Sequence, residues 1–259
     1  MMPAPRTRHF RAILCAIDFS SRSAMSLRYA AALSASCGGT LTALYAEDPM
    51  LSLAAAQGDD VRRLEGDTRA ELARFVLKTL GSAQAARVRC TVVVGSPGRA
   101  IVREARRLRA DVVVLGTNAR RGAPKLLFGS TALSVLRHVD SAVLVVPPRC
   151  CAPLPGWPAG SIVAAIEDGI YRHVELASAA RMAEVFGAWL SVIPALPGAR
   201  ATAERRAGLV LYPQPRAGFT RRFRQGSAAY AFICASRVPV LVIRTGRRYG
   251  ILTPPRRAA

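Results

Sequence analysis

The sequence predicts an α/β protein made of two tandem doubly wound, Rossmann-like parallel-sheet domains, the second truncated. Three observations lead there. Short apolar runs alternate with helix-length amphipathic segments, the alternation restarts near residue 160, and the first strand ends on an acidic residue while the fourth ends on a glycine.

Ala12-Ile17 reads as a buried strand ending in Asp18-Phe19-Ser20-Ser21. Met25, Leu27, Tyr29, Ala30 and Leu33 then recur at helical spacing until Cys37-Gly38-Gly39 stops the helix. Thr40-Ala46 is a second strand. Asp60 to Leu80 is a long amphipathic helix closed by Gly81, and Val88-Val94 is a third strand. Gly95-Ser96-Pro97-Gly98 turns into a helix from about Arg99 to Arg109, with Pro97 in the first turn, where a missing N–H costs least. Asp111-Leu115 is a fourth strand, Ser130 to His138 a helix, and Ala142-Val146 a fifth strand stopped by Pro147-Pro148. Strands and helices at this spacing give a parallel sheet covered on both faces, with the ligand crevice at the carboxyl ends of the strands.

Residues 149–159, rich in proline, have the composition of a linker between a complete domain (10–148) and a shortened one (160–245), followed by a basic tail (246–259). Ser161-Ile166 with Glu167 mirrors Ala12-Asp18, the helix from about Tyr171 to Phe186 and the strand Trp189-Ile193 follow in kind, and Val240-Ile243 echoes Val143-Val146. The first copy takes about 135 residues from first to last strand and the second about 83. The deficit falls between Ile193 and Leu209, where the long helix and third strand should be.

Composition narrows the function. The chain has 259 residues, 51% of them apolar, enough for a large core. No apolar run approaches the roughly 18 residues of a membrane span, and Met1 to Arg11 lacks a secretory core, so a soluble cytoplasmic protein is expected. Six Cys without a C-x-x-C imply reduced thiols, with Cys150-Cys151 in a loop. Lys+Arg 37 against Asp+Glu 16 gives a net charge of +21, carried almost wholly by arginine since only Lys78 and Lys125 are lysines. Without interleaved aromatics or a reading motif this predicts nonspecific nucleic-acid adhesion at most. His9, His138 and His173 are scattered, no Ser-His-Asp or Cys-His set stands out, and no general base is identifiable, so the chain is not expected to be an enzyme.

The most informative stretch runs from Val112-Val113-Val114-Leu115-Gly116-Thr117-Asn118-Ala119 to Gly129-Ser130-Thr131. A strand delivers Gly116 to the crevice, a loop follows, and Gly129-Ser130 opens a helix whose free N–H groups suit an anion. Ser130 and Thr131 add hydroxyls, while Arg120, Arg121 and Lys125 add charge. In this topology the first and fourth strands are neighbours, so Asp18 and Gly116 should flank one crevice. Glycine at a strand end that merely turns the chain remains an alternative.

On these residues the chain resembles the universal stress protein family in its tandem form. Ala16-Ile17-Asp18-Phe19-Ser20 looks like the family's first-strand signature, Gly116-Thr117-Asn118-Ala119 with Gly129-Ser130 like its nucleotide loop G-x-x-G-x9-G-[S/T], and Val143-Leu144-Val145-Val146-Pro147 like its ending. The resemblance implies ATP or AMP with Asp18 on the ribose or adenine side, the backbone near Ala46 reading the base, and Gly116, Asn118, Gly129, Ser130 and Thr131 around ribose and phosphates. A magnesium ion commonly accompanies the phosphates in such sites. It also implies a stress-response sensor or regulatory module with a protein partner or a second copy, and domains paired through their fifth strands.

Ala119 departs from the pattern's second glycine, which strains the backbone if the position needs φ > 0. In the second half Glu167 stands where Asp18 does, Tyr212 is expected in the place of Gly116, and Pro213 and Pro215 remove backbone donors. That half is expected to be a packing partner. A nucleotide-free scaffold of the same fold, or an arginine-driven nucleic-acid-associated protein, are the alternatives.

Overall fold

The computed structural model describes residues 10–47, 61–117, 129–148, 150–158, 160–167, 170, 172–195, 207–214 and 228–245. The expected loop residues Asn118 and Ala119, with Arg120, Arg121 and Lys125, lie outside them. The first half comprises β1 (Ala12–Ile17), α1 (Ser21–Cys37), β2 (Thr40–Glu47), α2 (Val61–Leu80), a short α3 (Ser82–Ala85), β3 (Val88–Val94), α4 (Pro97–Arg107), β4 (Val112–Gly116), α5 (Ser130–His138) and β5 (Ala142–Val146). The second comprises β6 (Ser161–Ile166), α6 (Arg172–Phe186), β7 (Trp189–Pro194), β8 (Leu209–Gln214), α7 (Ala228–Ala235) and β9 (Val240–Arg244). These strands form one nine-stranded sheet in the order β3-β2-β1-β4-β5-β9-β8-β6-β7.

The first half is thus wound 3-2-1-4-5, reversing direction between β1 and β4. Ile13 pairs with Val112 and Cys15 with Val114, the adjacency that the Asp18-Gly116 argument requires. One carboxylate fixes this register: Asp111 Oδ2 accepts from the Arg11 and Ala12 amides at 2.8 and 3.0 Å. The loops are equally local in origin. Gly38 ends α1 in the left-handed conformation (φ 66°). A Cβ on Gly39 would lie 2.1 Å from the Phe10 carbonyl oxygen, so only glycine lets β2 start there. Helix α4 occupies Pro97–Arg107 rather than the expected span, because Pro97 takes the first turn and Arg109 swings to φ 48° beyond the last.

The two halves join edge to edge. β5 and β9 run antiparallel, with Val143 opposite Val242, Leu144 opposite Leu241 and Val145 opposite Val240. The ladders on either side make Leu144 and Leu241 equivalent positions, so a pseudo-twofold axis passes between them. Beyond it the order β9-β8-β6-β7 repeats 5-4-1-2. Among the described residues the second half has no counterpart of α2 or β3, and the sheet ends at β7.

The register also corrects one expectation. Ile162 pairs with Leu209 in β8 as Ile13 pairs with Val112 in β4. Tyr212 therefore stands at the position of Leu115, and Pro213 takes that of Gly116. The sequence offered no anchor for this, since the glycine that marks the strand end in the first copy is absent from the second.

Residues 150–158 fold back onto the domains they connect. Trp157 is buried, donates from Nε1 to the Gly208 carbonyl (2.8 Å) and meets the Tyr29 ring edge-on at 4.9 Å. The Tyr29 hydroxyl donates to the Cys151 carbonyl at 2.8 Å. Cys150 is buried and Cys151 exposed, both free thiols. Two apolar layers sandwich the sheet and extend through both halves. One includes Phe10, Leu27, Leu33, Leu72, Trp157 and Phe186, the other Ile101, Val135, Leu136, Tyr212, Phe232 and Ile233. Among the described residues no helix is long and apolar enough to cross a membrane.

Candidate functional site

A cleft of about 660 Å³ opens at the carboxyl ends of β1, β2 and β4, where the strand order reverses. Asp18, Ala46, Gly116, Gly129, Ser130 and Thr131 all line it. Of the residues expected to form the site, only Asn118 and Ala119 are left, and they fall outside the described residues.

Each wall follows from local chemistry. At the end of β1 the Asp18 carboxylate accepts from the Ser20 amide (3.0 Å) and hydroxyl (2.5 Å), a short turn that fixes its orientation while it stays exposed. Ser20 is also the N-cap of α1, its Oγ accepting from the Ser23 amide at 3.2 Å. Between them Phe19 adopts φ 58°, an uncommon left-handed conformation for a bulky residue. Its ring packs against Tyr45 (4.7 Å) and Phe75 (5.6 Å), so one aromatic cluster ties β1, β2 and α2 together beside the cleft.

On β2, Tyr45 is the last residue paired with β1, opposite Ile17, whereas pairing with β3 continues to Glu47. The Gly95 amide donates to the Glu47 carbonyl at 2.9 Å, so Glu47 faces the β3 side. Successive residues in a strand turn their main-chain groups to opposite sides. Ala46 therefore faces β1: the Ile17–Tyr45 pairing takes its N–H to the Ile17 carbonyl, and its C=O, past the end of β1, is left facing the cleft as an acceptor for a flat heterocycle.

The opposite wall is the start of α5. Gly129 is its N-cap at φ −60°, ψ 152°, with no side-chain cap, and the first turn holds no acidic residue. The Ser130, Thr131 and Ala132 amides thus lack a capping side chain where the helix dipole is positive. The other end is neutralised: Arg137 and His138 occupy the last turn, Arg106 donates to the His138 carbonyl (3.2 Å), and Arg244 donates to the Val139 carbonyl. His138 Nδ1 contacts the Ser134 carbonyl at 2.8 Å, away from the cleft.

Gly116 has a different reason for being glycine than the one sequence suggested. A Cβ there would stand 3.1 Å from Ser26 Oγ and 3.3 Å from the Arg22 carbonyl oxygen, so its bareness lets α1 approach β4. Sequence reasoning also missed Arg22, Ser23, Tyr45, Pro97 and Ile101, which line it as well. Pro97 and Tyr45 were readable as strand-end neighbours of expected positions, whereas Arg22 and Ile101 arrive through helix packing. Burial first, then the negative charges of Glu47, Glu71 and Asp18, raises the Tyr45 pKa above the ordinary phenol value, so its hydroxyl is a donor at neutral pH.

Among the described residues, the equivalent place in the second half is filled by side chains. The wholly buried Tyr212 donates its hydroxyl to Glu167 Oε1 at 2.7 Å, Gln214 Nε2 reaches the same oxygen at 3.3 Å, and the Tyr212 ring packs on Phe232 at 5.4 Å. Side chains of the chain itself bridge what corresponds to the gap between Asp18 and Gly116.

Fold and cleft together define a doubly wound α/β protein with an anion-ready pocket at its switch point. Residues 9–147 match the Universal stress protein family, which is more than half of the chain, and the chain belongs to that family. Universal stress protein Slr1101 of Synechocystis sp. (strain ATCC 27184 / PCC 6803 / Kazusa) is 36% identical over 55 residues, 21% of this chain and 51% of that relative. Universal stress protein Sll1388 of the same organism is 42% identical over 55 residues, 36% of its length. This chain therefore spans about half or less of the curated relatives it matches. Among solved structures, a universal stress protein from Archaeoglobus fulgidus DSM 4304 superposes with a TM-score of 0.63 at 16% identity, covering 93% of this chain and 98% of the other. The functionally unknown protein PA1789 from Pseudomonas aeruginosa PAO1 gives 0.60 at 16% identity, covering 92% and 94%. Both likenesses extend across the two halves and concern the fold.

Proposed function

We infer that this chain is a regulatory member of its family that binds ATP or AMP in the first-half cleft and acts, without catalysing a reaction, as a cytoplasmic stress-response module. The observation that carries this reading is the uncapped start of α5 facing one cleft with Asp18 and the Ala46 main chain. Amides for phosphate, a carboxylate for ribose hydroxyls and a main-chain acceptor for the adenine amino group are contacts that suit an adenine nucleotide. The cleft volume of about 660 Å³ lies within the ~300–1,000 Å³ of small-molecule sites.

Magnesium, where present, screens phosphate charge. The described residues include no group of three His, Cys, Asp or Glu side chains to hold it, and Asp18 is the one carboxylate among the lining residues, so the ion would arrive with the nucleotide.

The test begins with the protein as purified. Denaturation followed by mass spectrometry should release an adenine nucleotide, and calorimetric titration of the emptied protein with ATP or AMP should give saturable heat. Gly129→Asp places a carboxylate at the N-cap, where it satisfies the α5 amides itself. It should raise the melting temperature slightly while abolishing nucleotide binding, and undiminished binding would remove the phosphate assignment.

One observation favours a second reading, a nucleotide-free scaffold of the same fold: glycine at 116 is explained by α1 alone. Absence of both released nucleotide and heat would decide for it. Salt-steep DNA affinity with neither would favour the nucleic-acid-associated alternative.

A further inference from the structure

We propose that β7 is a dimerisation edge: two copies of this chain pair their β7 strands antiparallel about Ser191, continuing the nine-stranded sheet across a twofold axis. Among the described residues β7 pairs with β6 alone and is the last strand of the sheet. Its equivalent in the first half, β2, is covered on its outer side by β3 and on one face by α2, and among the described residues neither has a counterpart beside β7. The side chains show the consequence. Leu41 and Ala43 of β2 are 2% and 0% exposed, whereas Val192, which occupies the position of Ala43, is 46% exposed; on the other face Trp189, at the position of the exposed Thr40, is 85% exposed.

Soluble proteins protect sheet edges with charge, proline or a bulge. From Trp189 to Ile193 this strand has none, in a chain of net charge +21. The opposite edge is defended: β3 carries Arg89, and Arg103 reaches the Val94 carbonyl at 3.5 Å. A β7-to-β3 contact between copies would also propagate without closing, while β7 to β7 closes as a twofold dimer. An uncharged strand is where two strongly positive molecules meet with least repulsion.

The main chain selects the register. The Trp189 amide donates to the Gly160 carbonyl (2.7 Å) and the Ala195 amide to the Ile166 carbonyl (2.9 Å), so odd-numbered residues face β6 and Leu190 and Val192 direct both main-chain groups outward. Centring the axis on Ser191 places Leu190 opposite Val192 of the second copy and the reverse, a ladder of about four hydrogen bonds using every outward amide. Pro194, with no N–H, ends it. The same register lays Trp189 against Ile193 of the second copy, where an indole fits an aliphatic side chain. The chain already joins its own halves by antiparallel edge pairing at β5 and β9.

Light scattering and sedimentation over a range of concentrations test this on the full chain. The expected result is a reversible dimer of twice the monomer mass. Val192→Pro deletes an outward N–H while sparing the β6 ladder and should give a monomer, as should Trp189→Lys, with circular dichroism unchanged. If one variant unfolds, the other decides. Only two tryptophans occur, so in a Trp157→Phe background the Trp189 emission should shift to the blue as concentration rises. A wild-type monomer throughout this range, or a dimer that both folded variants preserve, would overturn the proposal.

Discussion

Cys37 shows how a single side chain sets part of the pH response. Burial pushes its thiol from 9.0 up to about 11, against a lowering hydrogen bond at the Phe10 backbone. Below pH 9 the thiol is protonated in both folded and unfolded chains, and its contribution is constant. Between about 9 and 11 the unfolded chain releases the proton that the folded one keeps, so stability falls as pH rises through that window. Cys37→Ser should flatten this part of a denaturation profile, most visibly near pH 10. Cys15 is raised further by burial, with the Asp18 charge as a second cause, so it stays inert while exposed Cys151 alkylates first. Individual site residues were legible where their chemistry is local: Asp18 and Gly129 sit at strand and helix ends that apolar periodicity marks. Gly116 was found for an incomplete reason, because the approach of Arg22 and Ser26 from α1 is a packing fact that spacing does not encode.

At the scale of elements, α5 in the first half and β8 in the second give the clearest contrast. The first-half helix begins at an uncapped glycine over an open cleft, whereas β8 carries Tyr212 and Gln214 into hydrogen bonds with Glu167. Tyr212→Phe removes one partner of that carboxylate and should lower stability by about 1–3 kcal/mol in denaturant unfolding, with nucleotide affinity in the first half unchanged. Strands such as Ala12–Ile17, Val88–Val94, Ala142–Val146 and Ser161–Ile166 match their sequence-predicted bounds residue for residue, because an acidic residue, glycine or proline ends each apolar run. Register in β8 was not readable that way. Leu209–Gln214 is buried throughout, a continuous apolar run offers no alternation to fix its phase, and the comparison with β4 slipped by one residue.

For the whole molecule the consequence is cooperativity. One sheet and two shared apolar layers join the halves, and Trp157 touches both, through the Tyr29 ring and the Gly208 carbonyl. Calorimetric unfolding should therefore show a single transition, and Trp157→Ala should lower it as one peak by roughly 3–5 kcal/mol instead of splitting it in two. The duplicated architecture was visible in the sequence because both copies keep their first and last strands. The buried role of Trp157 was not, since a proline-rich composition reads as a connector whether or not its one tryptophan finds a pocket.

The pairing of β5 with β9 sets an order of events during synthesis. Translation completes the amino-terminal half first, and its Ala142–Val146 border has no permanent neighbour until Val240–Arg244, some hundred residues later, leaves the ribosome. Through that interval the nascent chain carries an adhesive apolar margin whose proper mate does not yet exist. Crowded polysomes then favour exchange of the late strand between sister chains, and slow, dilute expression should yield the better-formed product.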